Sequence, residues 1–135
     1  MKYISILLIL LSFLTTRATE KLKVENVEGI LENVASAIRN NDSRELARYF
    51  NSTLEVSLFD KEGTYSKVQA EMIIKNFFIK YPSTSFVVNQ KGSSEGGSQF
   101  LIGSYKAGNK VFRTYVYLKP VSGQLLIQQL QFEDD

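Results

Sequence analysis

Four segments rich in Val, Ile, Phe and Tyr constrain the fold of this chain more than anything else in it: Ser85 to Gln90, Gln99 to Lys106, Lys110 to Lys119 and Gln124 to Phe132. β-branched and aromatic side chains suit a pleated, half-buried surface, so each segment is expected to be a strand. Between them lie only Gly92 to Ser98, Gly108-Asn109 and Pro120 to Gly123, stretches of turn-forming residues of hairpin length. Strands joined so closely pair antiparallel, because a parallel pair needs a long crossover. An antiparallel meander is therefore expected at the C-terminal end.

The first part of the chain reads as helix. Val27, Ile30, Leu31, Val34 and Ile38 recur at spacings of three and four, the pattern of a helix with one buried stripe, and Glu28, Glu32 and Arg39 take its outer face. Asn40-Asn41 should end it, and Asp42 with Glu45 forms a capping box for a short second helix, Ser43 to Phe50. Thr53 to Phe59 alternates as a strand with one wet face, and Asp60-Lys61-Glu62-Gly63 then reads as a turn. Ser66 and Gln69 form another capping box before the strongest stripe in the chain: Ala70, Ile73, Ile74, Phe77, Phe78 and Tyr81. Pro82 stops it. The expected fold class is α+β: three N-terminal helices packed on one face of a curved antiparallel sheet.

Residues 1–18 read as a secretory signal peptide. Lys2 provides the positive start, Ile4 to Leu14 is nearly unbroken apolar sequence, and Thr16-Arg17-Ala18 offers small residues at a cleavage site. The apolar run is roughly half of the ~20 residues that a spanning helix needs, so no membrane span is expected after cleavage. Residues 19–135 would then form a single domain that works in the periplasm or outside the cell.

The chain contains no cysteine and no histidine. Disulfides, thiol catalysis, zinc fingers, histidine-ligated metals and Ser-His-Asp arrangements are thereby excluded, and no cofactor is implied. Removal of Lys2 and Arg17 leaves 14 basic and 14 acidic side chains. A chain this balanced, without a Lys/Arg run, lacks the basic footprint that captures nucleic acid.

The segment Ala37 to Phe50, in which a helix passes through a polar turn with Asp42 into Leu46 and Phe50, resembles the opening of the nuclear-transport-factor-2-like superfamily, also described as cystatin-like. Tyr49-Phe50-Asn51-Ser52-Thr53, Asp60-Lys61-Glu62-Gly63 with Tyr65-Ser66-Lys67, Gly92-Ser93-Ser94 with Gly96-Gly97-Ser98, and Leu126-Ile127-Gln128-Gln129-Leu130 are similar to an uncharacterised family of exported bacterial domains within it. The resemblance covers about Val27 to Phe132. It implies a cone-shaped roll of helices and curved sheet and brings no catalytic residues with it. Fold alone does not assign function on such a scaffold.

Candidate sites follow from residue type and position. Phe50, Phe59, Phe77, Tyr81, Phe112 and Tyr115 fall on elements that converge on the cone, where they either line a pocket for a small apolar ligand or fill a core. On Lys110 to Lys119, Phe112, Thr114, Val116 and Leu118 alternate with Arg113, Tyr115, Tyr117 and Lys119. If the second set faces outward, Arg113, Tyr115 and Tyr117 form either a contact surface for a protein partner or a second copy, or a plain amphipathic sheet face. The surviving acid-base option pairs Asp60 or Glu55 with Tyr65, a buried carboxyl beside a phenol as in isomerases or lyases. Its plain alternative is a turn aspartate and a wet-face glutamate. The loop Gly92 to Ser98 joins two strands and carries Glu95, unlike a phosphate loop, which opens a helix. The reading that results is an exported, non-enzymatic binding or interaction domain, with a small-molecule isomerase or lyase as the alternative.

Overall fold

The computed structural model describes residues 18–59 and 61–135, with side chains from residue 26 onward. The expected signal segment, apart from its final Ala18, and the candidate Asp60 lie outside the described residues. The first helix, α1 (Ala18–Arg39), begins earlier than the periodicity predicts and crosses between two units, Met1–Ile30 and Leu31–Asp135. The second unit holds the end of α1 and every later helix and strand. Among the described residues, no helix is long and apolar enough to cross a membrane.

Within the second unit, α1 buries Leu31, Val34, Ala35, Ala37 and Ile38. It ends in a paired-bond motif: Asn41 takes a left-handed conformation (φ 54°), its N–H donates to the Ile38 carbonyl at 3.2 Å, and the Asp42 N–H donates to the Ala37 carbonyl at 2.9 Å. Asp42 then caps α2 (Ser43–Ala47) by accepting from the Glu45 N–H at 3.0 Å. The reciprocal half of the expected box does not form. The Asp42 N–H is already committed to Ala37, and the Glu45 carboxylate turns to Arg48 at 3.2 Å.

β1 (Phe50–Leu58) is followed by β2 (Lys61–Ser66), which pairs with it antiparallel from Thr53–Ser66 to Leu58–Lys61. This corrects the expectation of a turn at Lys61-Glu62-Gly63. A short strand carrying two charges and a glycine lacks the apolar alternation by which strands are read, and those are the features that protect a sheet edge from pairing with other chains. The helix α3 (Lys67–Lys80) begins with both halves of the Ser66/Gln69 box in place: Gln69 N–H to Ser66 Oγ at 3.2 Å and Ser66 N–H to Gln69 Oε1 at 3.1 Å. It buries Ala70, Ile74, Phe77 and Phe78.

The meander is present as β3 (Ser85–Ser93), β4 (Gln99–Ala107), β5 (Lys110–Val121) and β6 (Gln124–Asp134). The six strands form one sheet in the order β2-β1-β6-β5-β4-β3. Two expectations are corrected by this topology. The sheet is mainly antiparallel, but β1 lies parallel to β6, and the third helix follows a two-stranded hairpin rather than the single strand expected before it. The first follows from the last strand returning to pair with the first, a long-range closure that local periodicity does not encode, and the second from β2 pairing with β1 at the sheet edge. Register shifts in β1, in β3 and between Tyr117 and Leu118 mark bulges, which bend strands and curve a sheet. The inner face carries Phe112, Thr114, Val116 and Leu118, all fully buried.

Candidate functional site

The β1–β2 hairpin closes through a two-residue loop, since Leu58 pairs with Lys61. Hairpin loops of this length need a positive φ at their first central residue, and Phe59 supplies it at 46°. This is an uncommon conformation for a bulky residue. It directs the ring onto α3 and β5: Phe59 lies 5.9 Å from Phe77, 5.8 Å from Tyr81 and 5.0 Å from Phe112, centroid to centroid. Phe77 is the hub of the cluster, with further ring contacts to Phe78, Tyr105 and Phe132.

Beside this cluster, between the hairpin and α3, is a cleft of about 360 Å³. Its apolar wall comes from Val56, Leu58, Phe59, Ile73, Phe77 and Tyr81, and Lys61, Tyr65, Asn76 and Lys80 supply polar groups. Tyr65 reaches it because its ring lies along β2 over Gly63. A Cβ at Gly63 would come within 2.9 Å of the Tyr65 hydroxyl, so a larger residue here would push the Tyr65 ring aside. Phe59 is 40% exposed and Phe77 only 4%, which makes the first a mouth residue and the second part of the interior wall.

The structure divides the six aromatic candidates. Phe59, Phe77 and Tyr81 line the cleft. Phe112 is buried in contact with all three, 5.5 Å from Phe77 and 5.2 Å from Tyr81. Phe50 is buried at the start of β1 and does not line it, and Tyr115 projects from the opposite sheet face beside Arg113, Gln131 and Glu133. Lys61, Asn76 and Lys80 were not among the residues singled out from sequence. Lys80 follows a strong helical stripe, but its place at the mouth depends on where the hairpin lands.

Glu55 is exposed and pairs with Thr64, whereas Tyr65 pairs with Leu54. Neighbours across a ladder share a face and successive residues alternate, so Glu55 and Tyr65 point to opposite sides of the sheet. Glu55 instead borders Thr64, Tyr117, Lys119 and Gln128. Among the described residues, no three Asp or Glu side chains converge to hold a metal ion.

Arg113, Tyr115 and Tyr117 all face away from the helices, alternating with the buried residues of β5. Register places Phe100 beside Tyr117 and Ile102 beside Tyr115. The Ser98 hydrogen bond, aided by the Lys119 charge, holds the Tyr117 phenol below its ordinary pKa.

The chain matches the family described as Domain of unknown function (DUF4783) over residues 31–133. It belongs to that family. A DUF4783 protein from Bacteroides ovatus is similar to this one at 28% identity, with a TM-score of 0.73 over 76% of this chain and 93% of its own. Another from Bacteroides uniformis is 27% identical, with a TM-score of 0.73 over 77% and 95%. An NTF2-like protein of unknown function from Shewanella baltica, 15% identical, has a TM-score of 0.60 over 90% of this chain and 98% of its own. The DUF4783 domain thus has a nuclear-transport-factor-2-like fold. No curated protein matches this chain.

Proposed function

We propose that this DUF4783 chain is an exported, non-enzymatic binding domain whose contact site is the cleft between the β1–β2 hairpin and α3. The observation that carries this reading is Phe59, a bulky residue held at positive φ with its ring half in solvent at the mouth of an aromatic-walled cavity. Uncommon backbone conformations cluster at ligand sites, and the cavity volume falls within the range of small-molecule pockets. The polar groups present suit holding a ligand: a phenol, an amide and two ammonium groups. Glu55, the described carboxylate of the isomerase alternative, lies on the other sheet face.

The test is native mass spectrometry of the protein purified from its own host. A mass excess lost on substitution of Phe59 by Ser supports the cleft. A bare polypeptide mass that gains nothing on incubation with host small-molecule extract overturns the reading.

A second reading is favoured by the outer sheet face, where Arg113, Tyr115 and Tyr117 stand beside Phe100 and Ile102. Aromatic residues and arginine are the types enriched at protein interfaces. A dimer in sedimentation that dissociates on Tyr115→Asp supports contact between copies, and a monomer at all concentrations counts against it.

A further inference from the structure

We infer that the cleft's ligand is an amphipathic anion, a small molecule with an apolar body and one terminal anionic group. This rests on the cleft being the binding site and adds the chemistry that the site selects.

The apolar half follows from the walls formed by Phe59, Phe77 and Tyr81. The anionic half follows from charge. Lys61 and Lys80 both line the cleft and are exposed, and neither has an ion pair among the described residues. No described carboxylate lines it. Glu62, the neighbour of Lys61, pairs with Ser57 and so alternates to the opposite face, while Lys61 shares a face with Leu58 of the cleft wall.

A third ammonium, Lys110, does not line the cleft but lies at the ring of one of its wall residues. Lys80 and Lys110 each lie 5.4 Å from the centroid of the Tyr81 ring, so one wall residue of the cleft gathers two like charges. Contact with an aromatic face offsets part of their cost, and their mutual repulsion remains. A bound anion at the mouth relieves that repulsion and gains charge-assisted hydrogen bonds. The hydroxyl of Tyr65 and the amide of Asn76, which have no hydrogen bonds to described residues, can complete its coordination. This concentration is local, because the chain as a whole carries 16 basic and 14 acidic side chains.

The experiment titrates the full chain with two isosteric pairs, 2-naphthylacetate against 2-naphthylacetamide and decanoate against decanamide, and follows backbone amide NMR shifts. The carboxylate of at least one pair is expected to bind about tenfold more tightly than its amide, a difference of ~1.4 kcal/mol. Its shifts should centre on Phe59, Phe77 and Tyr81. In K61Q/K80Q the two members should bind alike, with amide affinity unchanged, which also shows that the variant is folded. Equal affinity within both pairs for the wild type, or a gap that survives in K61Q/K80Q, overturns the anion while leaving the cleft intact. If neither pair moves cleft amides, the binding-site reading falls and this inference falls with it.

Discussion

The side-chain amide of Asn41 donates to the hydroxyl of Tyr105 at 2.7 Å, joining the end of α1 to the middle of the meander across 64 residues. The same asparagine accepts from the Ser83 N–H at 2.9 Å, and the Tyr105 hydroxyl donates to the Tyr81 carbonyl. Ser83 Oγ closes the set by donating to the Arg39 carbonyl at 2.7 Å. Two helix ends and a strand therefore meet through one buried polar group, and Tyr81 of the cleft is anchored by its backbone.

Tyr105 is fully buried, and burial raises its phenol pKa against the lowering effect of its hydrogen bonds to Asn41 and Ser83. The neutral phenol is therefore the form the fold favours. Its contribution to stability is complete below the unfolded pKa of ~10 and is lost as pH rises through the higher folded value. Urea unfolding should show the wild type losing stability above pH ~10 more steeply than Tyr105→Phe. That variant should start about 1–2 kcal/mol lower at pH 7, from lost hydrogen bonds. Parallel alkaline limbs would show that another group titrates.

Thr114 is fully buried on the inner sheet face, and its hydroxyl has no hydrogen-bond partner among the described residues. Replacing an unsatisfied hydroxyl by a methyl of the same shape removes a desolvation cost. Thr114→Val is expected to raise stability by about 1 kcal/mol, read from the urea midpoint. A destabilised variant would mean that a partner, such as a water, satisfies the hydroxyl.

The Ser66 cap is reciprocal and stands at the junction of β2 and α3, both walls of the cleft. Ser66→Ala should cost about 1 kcal/mol, and Ser66→Asp, which keeps an acceptor, should recover most of it. An alanine variant as stable as wild type would show that the cap is dispensable.

At Gly103 a Cβ would meet the Phe86 ring at 2.6 Å and the Val87 carbonyl oxygen at 2.8 Å. The ring could shift, but the backbone oxygen could not without breaking the β3–β4 register. Gly103→Ala should cost about 1–3 kcal/mol by thermal or urea unfolding. Stability within experimental error of wild type would place the ring and ladder elsewhere.

Export is tested at the N-terminus. Protein recovered from its own host should begin at Thr19, as shown by intact mass or N-terminal sequencing. A chain that retains Lys2 and Arg17 would argue against the signal peptide.

Much of the fold was legible in the sequence because its signals are local. The four meander strands, the stripe of α3, its capping box and the halt at Asn40-Asn41 depend on side chains within a few residues of one another, and periodicity reports those directly. β2 was not legible: Lys61-Glu62-Gly63 carries the polarity of a turn, and only pairing with β1 makes it a strand. The Asp42 box was half legible, because the competing bond to Ala37 arises from how α1 ends. The parallel contact between β1 and β6 had no local signature at all. In the candidate site, composition singled out Phe59, Phe77 and Tyr81 as convergent aromatics, but whether they enclosed a cleft or a filled core depended on where the hairpin came to rest against α3. Tertiary structure decided that, and with it the placing of Lys61 and Lys80 on the cleft and of Lys80 and Lys110 at the Tyr81 ring. Alternation and caps are encoded by neighbours in the chain, whereas a cavity and its charge are properties of surfaces that meet only after the chain has closed.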